Sequence, residues 1–268
     1  MTPRKLGLAV GLAAAVLVPF VSLDRLIFFP DRSFSPPPGG VVERWLTTAD
    51  GVRLHAWHAI APEGEPTLVW SHGNAGSIAG RAPILGALAG RGLGVLAYDY
   101  RGYGRSGGTP SERGVYRDVE AAYDSVALPG ARIVAFGESL GGAVSIHLAT
   151  VRPCAAVVVV STFTTMRNVA RFHYGVAGLL AGNAFDSLHR IRGMRVPLLI
   201  AHGDEDEVVP YALGEALFAV AGEPKRFIRL PGAHHNDVLE NPALLDAIAD
   251  FARSAAAPGP ATPTKLLA

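Results

Sequence analysis

Six short, unbroken apolar runs punctuate this chain, at Thr67–Ser71, Gly94–Tyr98, Arg132–Phe136, Ala155–Val160, Val196–Ala201 and Arg226–Leu230. A strand with one wet face alternates apolar and polar residues. Runs without that alternation describe strands covered on both faces, which is the condition of a parallel sheet. Between them lie stretches of helical periodicity, at Ile78–Ala89, Ser111–Val126, Leu140–Val151, Tyr211–Ala221 and Ala243–Arg253. Strand and helix alternating in this way predict an α/β fold, a mostly parallel, doubly wound sheet with helices on both faces. Its ligand site is then expected at the carboxyl ends of the strands. Ahead of these elements, Arg44–Thr48 and Val52–Ile60 alternate around Ala49-Asp50-Gly51, which predicts an antiparallel hairpin near one sheet edge.

A chain of 268 residues, 49% hydrophobic and 18% charged, can bury one large core, and a single globular domain is expected over residues 41–254. The net charge is +1 and the Lys and Arg residues are scattered, so no basic stripe exists to bind nucleic acid. The single Cys154 excludes an internal disulfide and is expected to pack as a small apolar residue. His55 and His58 point to opposite faces of a strand and His234 and His235 are adjacent, so no metal site is expected and the reading requires no cofactor.

The ends differ from the middle. Arg4 and Lys5 precede the apolar stretch Leu6–Leu23, which as a helix would reach about 27 Å, just enough to span a bilayer. No small-x-small pattern closes the stretch, which favours an uncleaved membrane anchor at residues 1–25 over a cleaved signal, with the domain on the exoplasmic or periplasmic side. Residues 26–40 are expected to be a linker, with Leu26-Ile-Phe-Phe at the membrane interface and Ser35-Pro-Pro-Pro-Gly-Gly40 barred from helix. The Ala- and Pro-rich residues 255–268 are expected to form a disordered tail.

Gly137-Glu-Ser139-Leu-Gly141 stands where one apolar run meets one helix. A strand-to-helix turn this sharp strains its serine and holds the hydroxyl clear of the sheet, and only the glycines Gly137 and Gly141 leave room for it. The pattern alone is weak, and Gly104-Arg-Ser106-Gly-Gly108 repeats it, but that copy runs into Thr109-Pro110 with no helix after it. A serine hydroxyl becomes a good nucleophile only when a histidine takes its proton and a carboxylate holds that histidine in the right tautomer. Two later loops, each following an apolar run, supply these groups in order. His202-Gly-Asp204-Glu-Asp206-Glu-Val-Val-Pro210 offers the acid and Gly232-Ala-His234-His235-Asn-Asp237 the base, with more than one candidate in each.

Several phrases together resemble the Bem46-type α/β-hydrolases, the group with the ABHD13 and ABHD17 relatives. They are His72-Gly-Asn-Ala-Gly76, Tyr98-Asp-Tyr-Arg-Gly-Tyr-Gly-Arg-Ser-Gly107, Gly137-Glu-Ser-Leu-Gly-Gly142, Phe185-Asp-Ser-Leu, His202-Gly-x-x-Asp206-x-x-Val-Pro210 and His235-Asn-Asp237. The resemblance implies the α/β-hydrolase fold, Asp206 rather than Asp204 as the acid, and His235 rather than His234 as the base. The departure is His234, where the family usually carries another residue. Two backbone N–H groups must stabilise the oxyanion, and Leu140, after the serine, and Asn74, in the loop after the first parallel strand, fit that role. His72 is expected to brace that loop by a hydrogen bond and Glu138 to anchor a neighbouring one, while Asp99 and Arg101 look like framework residues.

Residues 162–192 break the strand–helix rhythm and carry Phe163, Phe172, Tyr174 and Phe185, which suits a lid over a substrate pocket or a cover for the sheet edge. The whole predicts a membrane-anchored serine hydrolase that acts through an acyl-enzyme on a carboxylic ester or thioester with an apolar, lipid-like acyl chain. The resemblance points the same way, since some relatives remove palmitoyl groups from proteins and others act on lysophospholipids. A serine peptidase and a non-catalytic, membrane-tethered binding protein are the alternatives.

Overall fold

A computed structural model describes residues 27–257 of the chain. Its strands are β1 (Phe29–Pro30), β2 (Val42–Thr47), β3 (Arg53–Ala59), β4 (Thr67–Ser71), β5 (Ala75–Gly76), β6 (Gly94–Tyr98), β7 (Ile133–Glu138), β8 (Ala156–Val160), β9 (Leu198–Gly203) and β10 (Lys225–Leu230). Eight of them form one sheet in the order β10-β9-β8-β7-β4-β6-β3-β2. The six strands from β10 to β6 are parallel, and the hairpin β2–β3 adds antiparallel to β6 at one edge. The helices are α1 (Ala82–Ala89), α2 (Glu112–Asp124), α3 (Leu140–Val151), α4 (Met166–Tyr174), α5 (Ser187–Gly193), α6 (Tyr211–Val220) and α7 (Pro242–Ala256).

Consecutive strand residues feed opposite faces, which explains the unbroken apolar runs. Ile133 and Ala135 of β7 join one core with Val69, Val157 and Ile200. Val134 and Phe136 join the other with Leu68, Trp70 and Val158. The first core takes side chains from α2 and α3 and the second from α1 and α7, so the sheet is covered on both sides. Helix α7 extends the predicted Ala243–Arg253 at both ends, because Asn241 caps it by accepting from the N–H groups of Ala243 and Leu244 and Pro242 fits the first turn. Cys154 is buried, and burial pushes its thiol up to about 12. Strand order reverses about β4, with β6 on one side and β7 on the other, so the crevice of a doubly wound sheet opens above the carboxyl ends of β4 and β7.

The linker expected over 26–40 is corrected in its first part. Ile27 and Phe28 are buried in the core, and β1 pairs in parallel with β5, Phe29 against Ala75 and Pro30 against Gly76. The Phe28 ring lies edge-on to Phe185 at 6.0 Å, and the Gly104 N–H donates to the Asp31 carbonyl over 2.7 Å. Large apolar side chains beside a long apolar stretch look like more of that stretch, but here they fill a gap in the domain. The anchor at 1–25 lies outside the described residues, as do residues 258–268 of the tail, whereas Ala255 and Ala256 continue α7. Among the described residues no helix is long and apolar enough to cross a membrane.

The segment 162–192 folds as α4, a 3₁₀ stretch at Gly175–Ala181, and most of α5. Its aromatics divide between two tasks. Phe163 and Phe185 are core residues, whereas Phe172 and Tyr174 are exposed. Met166 and Val169, one turn apart on α4, line the cavity described next.

Candidate active site

Ser139 sits between β7 and α3 with φ 52 and ψ −119, a conformation that L residues rarely adopt. The turn is held by Ser139 N–H donating to the Val160 carbonyl at 2.8 Å and by the Thr162 hydroxyl donating to the Ser139 carbonyl at 2.8 Å. A side chain on Gly137 would drive into the carbonyl of Gly141, and one on Gly141 into the carbonyls of Ser71 and His72. Gly142 is equally constrained, since a Cβ there would meet the Thr162 side chain.

Ser139 Oγ lies 3.1 Å from His235 Nε2, and His235 Nδ1 donates to Asp206 Oδ2 at 2.8 Å. The other Asp206 oxygen accepts from the N–H groups of Val208 and Val209 at 3.0 and 2.7 Å. Burial opposes the charge on Asp206, but hydrogen bonds from His202 and His235, the attraction of His235 and the Val209 amide outweigh it and hold the carboxyl well below the usual range. The acid therefore stays ionised and fixes the proton of His235 on Nδ1, leaving Nε2 to accept from the serine.

The alternative residues stand elsewhere. Asp204 pairs with Arg229 at 2.7 Å and accepts from the Gly232 N–H at 2.6 Å. His234 is exposed and lies 3.2 Å from Glu207, whose hydrogen bond raises its pKa. The second pattern is a framework element, because the buried Ser106 hydroxyl donates to the Asp99 carbonyl at 2.7 Å and accepts from the His55 N–H at 2.9 Å.

Leu140 and Asn74 line the same cavity as Ser139 and His235. Leu140 is the first residue of α3, so its N–H has no acceptor within the helix and lies at the positive end of the helix dipole. The loop bearing Asn74 is braced from several sides. His72 Nδ1 donates to the Gly73 carbonyl at 2.7 Å, Glu138 accepts from the Gly73 N–H at 3.0 Å, and Tyr100 donates to the His72 carbonyl at 2.8 Å. Tyr103, whose role the sequence did not mark, donates to the Asn74 carbonyl at 2.7 Å while accepting from the Phe29 N–H at 3.1 Å. His202 is a second support that the sequence did not mark: its Nε2 donates to the Val209 carbonyl at 2.9 Å and stands 3.2 Å from Asp206. Its position before Gly203 in the acid loop was the available signal.

The cavity holds about 560 Å³ and its walls are mostly apolar, including Phe29, Ile84, Phe163, Val169, Val209 and Leu239. That volume suits a small organic ligand.

His72 gives the site a pH dependence of stability. Complete burial, reinforced by the nearby Arg81 charge and opposed by Asp99, the Gly73 carbonyl and Glu138, lowers its pKa from 6.5 to about 4. The unfolded chain therefore takes up a proton near pH 6.5 that the folded chain refuses until about pH 4. Stability should be level with respect to this group above pH 6.5 and fall by about 3 kcal/mol as pH drops through that window. Urea unfolding across the range checks it, and a His72→Gln protein should lack this part of the slope.

Strand order, elbow and cavity together are those of the α/β-hydrolase fold. The chain has the α/β-hydrolase fold and belongs to one family with the uncharacterized protein Rv2307c of Mycobacterium tuberculosis, to which it is 39% identical over 258 residues, covering 90% of this chain and 92% of that protein. YfhR of Escherichia coli strain K12, also uncharacterized, is 31% identical over 238 residues and 84% of each chain. Residues 62–192 match the family model described as serine aminopeptidase, S33. The esterase PF2001 of Pyrococcus furiosus shares the fold with a TM-score of 0.69 at 19% identity, over 85% of this chain and 98% of that one.

Proposed function

We propose that this chain is a membrane-anchored serine hydrolase of the Bem46-like branch, cleaving carboxylic esters or thioesters with apolar acyl chains through an acyl-enzyme. The observation that carries the proposal is the unbroken line from Ser139 Oγ through His235 to Asp206 at the floor of an apolar cavity. In the reaction His235 Nε2 takes the Ser139 proton as Oγ attacks the acyl carbon. The N–H groups of Leu140 and Asn74 receive the oxyanion, and His235 then protonates the departing alcohol or thiol. Water, deprotonated by the same nitrogen, releases the acid and restores the serine.

Esterase activity in the P. furiosus fold relative is in keeping with this chemistry. The apolar stretch Leu6–Leu23 supports the anchor, and the exposed Phe172, Tyr174, Val176 and Leu179 on the 162–192 segment support a lid whose outer face meets lipid. A peptidase reading draws on the aminopeptidase description of the matching family model. Fluorophosphonate labelling of the full chain, followed by turnover of p-nitrophenyl esters of increasing acyl length and of an aminoacyl p-nitroanilide, tests both readings. Labelling, with an optimum at a medium or long acyl chain, is expected. A folded protein that takes no label sinks the proposal, and faster cleavage of the anilide transfers it to the peptidase reading.

A further inference from the structure

The cavity wall holds one cation that the hydrolytic machinery does not use. Arg81, at the end of the 3₁₀ turn Ile78–Arg81, lines the cavity with its side chain 18% exposed, and its Nε donates to Glu138 Oε1 at 2.9 Å. The same carboxylate oxygen accepts from the Gly73 N–H in the loop that carries Asn74. Nη1 approaches the Ser77 carbonyl at 3.4 Å, and Nη2 makes no hydrogen bond among the described residues. A Cβ built on Gly73 would lie 3.4 Å from Nη2 and 3.6 Å from the Ser139 Cβ. Arg81 Nη2 and the Ser139 Cβ are therefore within about 7 Å of each other, on either side of Gly73.

A guanidinium held by its Nε, with Nη2 left without a partner, keeps a donor for a carboxylate or phosphate. From this placement we infer that Arg81 forms an anion subsite beside Ser139, and that the preferred substrates carry a carboxylate or phosphate close to the scissile ester. The inference deepens the serine-hydrolase reading and rests on it for turnover, though not for binding. Among the described residues the other charged groups lining the cavity are Glu138, which orients Arg81, and the exposed Glu240. The apolar walls then receive the remainder of the molecule, so the site fits an amphiphile with its charge near the bond that breaks.

Matched esters test this. On the acyl side p-nitrophenyl hemisuccinate is compared with p-nitrophenyl butyrate, and on the alcohol side glycerol phosphate butyrate with glycerol butyrate. The wild type should favour the anionic member of at least one pair by about tenfold in kcat/KM, the size of one charge-assisted hydrogen bond. The pair that responds tells a carboxylate on the acyl group from a phosphate on the alcohol. Glu138→Gln, which keeps the bond to Gly73 but removes the competing charge, should raise the preference, and Arg81→Gln/Glu138→Gln should abolish it.

A purely structural Arg81 would lower both members of a pair alike. That result, or no preference in a wild type that takes the fluorophosphonate label, overturns the inference. Binding can be read without turnover by calorimetry of hexylphosphonate against hexanol on the Ser139→Ala protein. Binding of the phosphonate that is lost with Arg81→Gln upholds the subsite even if the hydrolase reading fails, and equal binding of the two ligands removes it.

Discussion

A Ser139→Ala protein should turn over its best ester about a millionfold more slowly than the wild type and take no fluorophosphonate label, while still folding and binding substrate. The size follows from how the groups act together. Without Oγ, the His235 base has no nucleophile to activate, and only the oxyanion donors and the binding walls remain. Asp206→Asn should cost about ten-thousandfold, because an amide in place of the carboxylate can hold His235 in the wrong tautomer, with the proton on the nitrogen that must accept from serine. Asp204→Asn and His234→Ala should stay within a few-fold of wild type, since Asp204 is engaged by Arg229 and Gly232 and His234 by Glu207. Single-turnover kinetics with a chromogenic ester measures all four. A ten-thousandfold loss in the Asp204 or His234 variant, with Asp206 or His235 replaceable, would reassign the acid or the base.

Gly141→Ala should destabilise the fold by more than about 3 kcal/mol, a cost typical of severe overpacking. The new methyl would collide with the carbonyls of Ser71 and His72 at the end of β4, and that backbone is fixed by ladders to both β6 and β7. Neither side can yield without opening the centre of the sheet. Gly86→Ala provides the control, because Gly86 lies within α1 with open space where the Cβ would go. There the gain in helix propensity should stabilise by about 0.5–1 kcal/mol. Thermal melts of the two variants beside wild type should therefore move in opposite directions.

The sheet was legible because burial on both faces imposes a composition rule on each strand. Thr67–Ser71 and Gly94–Tyr98 match the observed strands residue for residue, as Leu140–Val151 does among the helices. The elbow was legible for a related reason, since steric exclusion at Gly137 and Gly141 writes glycine into the sequence. Strands β1 and β5 were not visible. Each has two residues, and their pairing joins segments 46 residues apart in sequence, Phe29 with Ala75, with no periodicity to announce it. Arg81 escaped for a similar reason. Its place beside Ser139 is set by how the turn at 78–81 packs on Glu138, which is a tertiary fact. The sequence separates Asp204 from Asp206 only by resemblance, because the contacts that distinguish them are tertiary. Asp206 faces His235 because Val208, Val209 and His202 hold its carboxylate there.

The β1–β5 ladder has a practical consequence for anyone shortening this protein. A recombinant form begun at residue 41, where the alternating strands start, would discard Phe28 from the core and the Phe29 amide that Tyr103 needs. The loop bearing Asn74 would lose the strand it leans on. A mechanical pull on the chain at Ile27 would pass through the Phe29–Ala75 and Pro30–Gly76 pairs into the loop that bears Asn74.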